Sequence, residues 1–380
     1  MIMNKICVYA ICKNESKFVE RWYKSASEAD AVVVLDTGST DDTVEKLKKL
    51  GATVEQKIID PWRFDVARNE SMKLIPNDCN ILVCVDLDEV IEEGWANVLR
   101  ERWIEGVHKC CWYKYVWSHL DNGSDGRIFW TNKIHCRGYK WYFPIHETLD
   151  FDPNYIEKLS KMEDLVVDED GFKIHHYQEF KATRSSYLPL MEIRAKENPN
   201  NFPSQQYLTH QYLYECHYDK CIEKGNEIIK NFSKQLIPIE IANIYYFIGW
   251  SYYSLGKDKE ALEYLYKGIE IDEKYIENYL KIAEILLFSK TDFENRYEKA
   301  YKVLTKGLMC AERYYSWLEG DDSFSTRIYD LLSIASFYYG KKKESLLFAF
   351  MARESNPENK RFQDNLNIIK EQTTNKDLAE

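Results

Sequence analysis

The chain has 380 residues, with 51 Lys and Arg against 62 Asp and Glu and a formal net charge of −11. That balance offers no basic surface for nucleic acid or anionic lipid. The ten cysteines include no C-x-x-C pair, and most sit in apolar settings as reduced small hydrophobes do. No apolar stretch approaches the ~20 residues of a membrane span. Met1–Ala10 is a strand-like run rather than a leader, so a cytoplasmic protein of two domains is expected.

From the amino end, Lys5–Ile11 reads as a strand. A helix with Phe18, Val19, Trp22 and Ala26 on one face follows from Glu15. Ala31–Leu35 is a continuous apolar strand, followed by the loop Asp36-Thr37-Gly38-Ser39-Thr40. Asp41 and Asp42 open a helix that carries Val44, Leu47 and Leu50 and stops at Gly51; Ser39 or Thr40 suits its N-cap. Ala52–Ile59 is a further strand, Asp65–Leu74 a helix, and Ile81–Val85 a strand of buried character. This alternation predicts a parallel α/β sheet with helices on both faces.

Asp86-Leu87-Asp88 closes that last strand. Alternation turns the two aspartates one way and Leu87 the other, toward the crevice where open α/β sheets bind ligands. Two hard oxygen ligands suit Mg²⁺ or Mn²⁺ carrying a diphosphate. Beyond Trp95 the runs Lys109–Trp117 and Arg127–Cys136 form a hairpin around Asp121-Asn122-Gly123. Asp168-Glu169-Asp170-Gly171 is a turn before the strand Phe172–Tyr177, and a helix begins near Lys181.

The rest is helical. Tyr245, Ile248, Gly249, Tyr252, Gly256, Ala261, Leu265 and Gly268 have the spacing of a tetratricopeptide unit of ~34 residues. Tyr329, Leu332, Ser336, Gly340, Ser345, Ala349, Ala352 and Pro357 repeat it. Leu208, Tyr212 and Cys221 mark a degenerate earlier copy. Ile282, Ala283, Leu286, Ala300, Leu304 and Gly307 mark another, interrupted at Thr291–Asn295. Two domains are therefore expected, residues 1–180 and 181–380, the second an all-α array.

The blocks Lys13-Asn14-Glu15, Asp36-Thr37-Gly38-Ser39-Thr40-Asp41-Asp42-Thr43, Phe64-Asp65-Val66-Ala67-Arg68-Asn69, Asp86-Leu87-Asp88-Glu89, Pro144-Ile145-His146-Glu147 and His175-His176 carry a resemblance. The first domain resembles the GT-A fold of family 2 glycosyltransferases, a Rossmann-like mixed sheet. It is most similar to bacterial members with C-terminal tetratricopeptide repeats, related to sublancin-type peptide S-glycosyltransferases.

The resemblance implies a metal-dependent, inverting hexosyl- or N-acetylhexosaminyltransferase. Its donor would be a UDP-sugar and its acceptor a peptide, protein or glycan. The donor pocket it implies is formed by Ala10, Lys13, Asn14, Glu15, Asp36, Ser39, Arg68, Asn69, Asp86 and Leu87. Glu15 and Asp36 would accept hydrogen bonds from ribose or uracil, and Arg68 would fork onto phosphate. Asp86, Asp88 and His176 would hold Mn²⁺ or Mg²⁺, with Asp88 also counted in the catalytic set and His175 the other candidate imidazole. Lys181 and Arg184 would either assist the phosphate or stand as solvated helix starts.

Inverting transfer needs a base on the acceptor side. Glu147 fits, following a strand and surrounded by Tyr139, Trp141, Tyr142 and Phe143, where desolvation raises a carboxyl pKa. Asp121, Asp125 and Glu89 compete with it. The helical domain would dock the acceptor or make a homodimer. The alternative is a nucleotide-binding tetratricopeptide scaffold that has lost catalysis.

Overall fold

The computed structural model describes residues 4–120, 123–168, 171–177, 187–310 and 324–373. They form two compact units, Met1–Arg194 and Ala195–Glu380. The first unit contains β1 (Ile6–Cys12), α1 (Val19–Ala26), β2 (Ala31–Asp36), α2 (Thr43–Leu50), β3 (Thr53–Gln56), α3 (Phe64–Met72) and β4 (Ile81–Cys84). It continues with β5 (Glu89–Ile91), α4 (Trp95–Arg102), β6 (His108–Val116), β7 (Ile128–His135), β8 (Tyr139–Tyr142), β9 (Thr148–Phe151), α5 (Ile156–Leu159), β10 (Glu163–Val166) and β11 (Lys173–His176).

The main sheet runs β3-β2-β1-β4-β7-β6-β11-β5, with β10 also paired to β6. The four strands β3, β2, β1 and β4 are mutually parallel. β7 is antiparallel to both neighbours, which makes the sheet mixed. Along β1 the pleat divides the side chains cleanly. Ile6, Val8, Ala10 and Cys12 enter a core with Trp22, Leu47, Trp95 and Leu99. Cys7 and Tyr9 enter a second core with Ile75, Leu82, Cys84 and Trp141 on the opposite face. Both faces of β1 and β4 are covered, which is why these strands are unbroken apolar runs. Burying each large side chain, Trp22 and Trp95 among them, contributes about 1.5–3 kcal/mol.

Three features differ from the sequence reading. The N-cap of α2 is Asp42, not Ser39 or Thr40; the Ser39 hydroxyl instead accepts the Asn14 backbone N–H at 2.8 Å. Glu89 starts β5, a short strand antiparallel to β11, a segment to which the sequence reading assigned no strand. The first unit also extends to Arg194 rather than to residue 180. Arg194 lies on α6 (Leu188–Glu197), and its guanidinium donates to the carbonyls of Ile145 and His146, both at 2.7 Å. Lys181 and Arg184, like Asp121, lie outside the described residues.

The second unit is an array of antiparallel helices: α7 (Phe202–Tyr214), α8 (Tyr218–Phe232), α9 (Pro238–Ser254), α10 (Asp258–Ile271), α11 (Ile276–Phe288), α12 (Arg296–Cys310), α13 (Phe324–Tyr339), α14 (Lys342–Ser355) and α15 (Lys360–Glu371). Many of the repeat positions are its contact positions. Ile248, Gly249, Ala261, Leu265 and Gly268 are buried in the α9–α10 hairpin. Ser336, Ser345, Ala349 and Ala352 are buried in α13–α14. The interruption at Thr291–Asn295 is the link between α11 and α12, where Thr291 Oγ1 donates to Asp258 at 2.5 Å. Among the described residues no helix is long and apolar enough to cross a membrane.

Candidate active site

The strand register brings Cys12 beside Asp36, and Tyr9 beside Cys84. The carboxyl ends of β1, β2 and β4 therefore share one edge of the sheet, the position expected for a ligand crevice.

At the β1–β2 end the motif residues tie two loops together. Asp36 is fully buried and accepts the backbone N–H groups of Gly38 at 3.2 Å and Ser39 at 3.1 Å, and Gln56 Nε2 at 3.2 Å. Burial alone would raise its carboxyl pKa, but these donors hold it below the usual range. The N–H of Thr40 donates to Asn14 Oδ1 at 2.7 Å, and that of Glu15 to Thr43 Oγ1 at 2.9 Å. Asp36 thus folds the turn around its own carboxylate, and Lys13 and Asn14 stand exposed at the rim.

At the β4 end the residues converge on Arg68. Its side chain is 5 % exposed on the inner face of α3. Nη1 and Nη2 bond Asp86 at 2.5 and 2.8 Å, and Nε bonds Glu147 at 3.0 Å. Burial would raise the Asp86 carboxyl, but the charge of Arg68 and its paired hydrogen bonds, with Lys133 behind them, hold it well below the usual range. Arg68 was expected to fork onto phosphate; in this structure the fork is closed on Asp86. Asn69 spans both backbone groups of Trp141, donating at 2.8 Å and accepting at 3.0 Å, and so pins β8 to α3. Ala10 and Leu87 are core residues with almost no exposed surface.

Glu147 ends a turn that carries backbone strain. Phe143 and His146 both have positive φ, 74° and 48°, conformations that L-residues avoid. Arg194 holds the turn through its two carbonyl contacts and lies over the Phe143 ring at 4.0 Å.

Asp88 faces His176, with Oδ2 3.4 Å from Nε2. Burial lowers the pKa of His176, but the Asp88 carboxylate outweighs it and the net shift is upward. His176 Nδ1 is buried without a hydrogen-bond partner among the described residues. His175 points away, as neighbours on a strand must, toward Glu92, Asp125 and His119.

Sequence reading missed Lys133, Tyr115, Arg194 and the role of Glu89. Glu89 accepts the Tyr115 hydroxyl at 2.6 Å and Lys133 Nζ at 3.3 Å, and its other oxygen accepts the Asp86 N–H at 2.9 Å. The available signal was a lysine placed next to apolar Ile134 on a strand that pairs with β4. Nothing local marks Arg194.

Residues 7–158 match the family described as "Glycosyl transferase family 2". An uncharacterized glycosyltransferase of Rickettsia conorii is 37% identical over 94 residues, 24% of this chain and 32% of the relative. One from Rickettsia prowazekii is 46% identical over 93 residues, 24% and 30%. The match thus spans about a third of these relatives' length. Among solved structures, a thermophilic TPR protein of Thermus thermophilus covers 48% of this chain and 88% of its own, at 16% identity and a TM-score of 0.35. MamA covers 46% and 89%, at 17% identity and a TM-score of 0.34.

Proposed function

We propose that this chain is a metal-dependent, inverting glycosyltransferase that takes a sugar from a UDP-sugar and places it on a peptide, protein or glycan. The supporting observation is the convergence of Arg68, Asp86, Asp88, Glu89 and Glu147 at the carboxyl edge of a sheet within the family 2 segment. The sugar class, hexose or N-acetylhexosamine, and a kinship with sublancin-type enzymes belong to the same reading.

The charge inventory favours a bound cation. Four carboxylates, Asp86, Asp88, Glu89 and Glu147, are gathered with two permanent cations, Arg68 and Lys133. That leaves an excess of negative charge in a partly desolvated pocket, which a divalent ion offsets. Asp88 and His176, with Asp86 beside them, form the donor set. A carboxylate with an imidazole suits Mn²⁺, and the buried Nδ1 of His176 has no hydrogen-bond partner among the described residues. Bound there, the ion would supply Lewis-acid stabilisation of the departing diphosphate.

The protein's own groups do the rest. Arg68 keeps Asp86 ionised and fixes the Glu147 carboxylate in one orientation. Glu147 takes the acceptor's proton as the anomeric carbon is attacked from the far side. Trp141, buried beneath the Arg68 guanidinium, keeps water from the base of the node. The turn around Asp36 shapes the nucleotide end. The helical array docks the acceptor, or pairs two copies of the chain.

The test is UDP release from UDP-sugars with Mn²⁺, alongside calorimetry of UDP with and without the metal. Metal-dependent UDP binding and slow donor hydrolysis are expected. Asp88→Ala should lose both while keeping its circular dichroism spectrum; turnover equal to the parent would overturn the assignment. Removing residues 240–380 should abolish transfer to acceptor and leave donor hydrolysis, whereas equal loss of both would remove the docking role.

A further inference from the structure

A second cluster of ligating side chains sits apart from the Asp86–Glu147 node. It joins the connection between β6 and β7 to the end of β11. His119 and Asp125 face each other across an isolated antiparallel bridge in that connection. Around them the chain is held by Trp117 N–H to the Arg127 carbonyl at 2.8 Å and Gly126 N–H to the Ser118 carbonyl at 2.8 Å. His175 comes from β11, where it pairs with Val116 and Val90.

The three side chains aim their donor atoms at one point. His119 Nε2 is 3.1 Å from His175 Nδ1, and Asp125 Oδ1 is 3.7 Å from the same nitrogen. One ligand atom from each residue lies within 4.8 Å of the others. A metal with bonds of ~2.0–2.1 Å to nitrogen spaces tetrahedral ligands roughly 3.3 Å apart; the two imidazole nitrogens already stand near that spacing, and the Asp125 carboxylate moves in to close on an ion.

The tautomer of His175 is set for this. Its Nε2 lies 3.0 Å from Glu92 Oε1. A carboxylate there takes an N–H, which leaves the Nδ1 lone pair facing His119 and Asp125. A carboxylate on the far nitrogen of a ligating histidine is the usual outer partner of a metal site. Asp125 has its other oxygen on Lys173 Nζ at 2.5 Å, so Oδ1 faces the imidazoles while Oδ2 stays neutralised. The rings are ordered as a stack, His119 on Tyr177 at 4.6 Å and on His175 at 5.4 Å, with Arg21 over Tyr177 at 4.1 Å. All three donors are partly exposed, which leaves an entry path for an ion.

We propose that His119, Asp125 and His175 bind a divalent transition-metal ion, with Glu92 orienting His175, and that the ion pins the β6–β7 connection to the core of the sheet. Two imidazoles and one carboxylate select Zn²⁺ and its neighbours over the all-oxygen preference of Mg²⁺ and Ca²⁺. The site is distinct from the Asp88–His176 donor set, and the inference does not rest on the glycosyl-transfer reading.

The experiment titrates Zn²⁺ into the chelator-stripped full chain carrying Asp88→Asn and His176→Gln, which removes the other candidate donor set. One equivalent should bind with a rise in thermal midpoint, and Co²⁺ in its place should show visible ligand-field absorption. Glu92→Gln should weaken Zn²⁺ by ~10–100-fold, and His119→Gln by more. Asp125→Asn, the same size as the parent residue, provides a second ligand loss if His119→Gln folds poorly. Absence of Zn²⁺ binding, or unchanged affinity in both His119→Gln and Asp125→Asn, overturns the proposal.

Discussion

Arg68 and Asp86 form a buried fork-to-fork pair, Nη1 to Oδ1 at 2.5 Å and Nη2 to Oδ2 at 2.8 Å. The same guanidinium reaches Glu147 with Nε, so one cation serves two carboxylates from different parts of the chain. Removing it breaks both pairs and leaves Asp86, among the described residues, only Lys133 as an ion partner, 4.0 Å away; breaking a buried pair costs about 3–5 kcal/mol. Arg68→Ala should therefore lower stability by that order in urea denaturation. Arg68→Lys should recover only part of it, because an ammonium cannot bond two carboxylates through a planar fork. If Arg68→Ala unfolds at the same urea concentration as the parent, the node contributes nothing to the fold.

Arg194 acts on the same site through the backbone. Its two bonds to the Ile145 and His146 carbonyls keep the positive-φ turn that aims Glu147. On the proposed mechanism, Arg194→Ala lets that carboxylate drift while the nucleotide end is untouched. Misplacing a reacting group by about 1 Å costs roughly 100-fold. The expected result is a fall of about 10–100-fold in kcat, with KM for the UDP-sugar nearly unchanged. A rise in KM alone would show that Arg194 serves donor binding instead.

Much of this arrangement was legible in sequence. β1, β2 and β4 are buried on both faces, so they stand out as continuous apolar runs, and their carboxyl ends frame the candidate site. The helical array was legible because Gly249, Gly268 and Gly307 each meet a neighbouring helix, while Gly256 and Gly340 take the positive φ of the turns. What escaped was long-range polar pairing. Glu89 looked like one more acid after Asp88, and only the β5–β11 ladder buries it against Tyr115 and Lys133. Asn69 sits in a motif that suggested donor binding, yet its amide is spent on the Trp141 backbone. His119 and His175 are joined only when the β6–β7 connection folds beside β11. Local periodicity carries no information about such pairs.

His135 makes stability depend on pH. It is fully buried, with Nδ1 on the Cys136 carbonyl at 2.8 Å and Nε2 on the Tyr9 hydroxyl at 2.8 Å. The carbonyl requires Nδ1 to donate, and in the neutral ring Nε2 therefore accepts from the Tyr9 hydroxyl. Burial pushes its pKa down from 6.5 to about 4, against a weaker upward pull from the Cys136 carbonyl. Between these values the unfolded chain binds a proton that the native one does not, so stability falls as pH falls through that window. The loss from this group should be about 2 kcal/mol between pH 7 and pH 5. His135→Gln should flatten the slope of urea midpoint against pH there, and an unchanged slope would assign the acid sensitivity to other groups.

Two glycines in the helical unit separate packing from backbone effects. A Cβ at Gly249 would stand 2.6 Å from Leu265 Cγ and 3.2 Å from the Ala261 carbonyl oxygen. The backbone oxygen cannot move aside without shifting α10. Gly249→Ala therefore gains up to ~1 kcal/mol of helix propensity against about 1–3 kcal/mol of overpacking, a net loss of about 1 kcal/mol. At Gly256 a Cβ meets nothing within 4 Å, but φ is +73°, and the left-handed conformation costs an alanine about 1–2 kcal/mol. The two losses differ in what relieves them. In a Leu265→Ala background, which lacks the Cγ and Cδ2 that the new Cβ meets, the cost of Gly249→Ala should shrink while that of Gly256→Ala stays as it was. Equal rescue of both, measured as thermal midpoints, would show that Leu265 acts through general loosening of the array and not through the contact at Gly249.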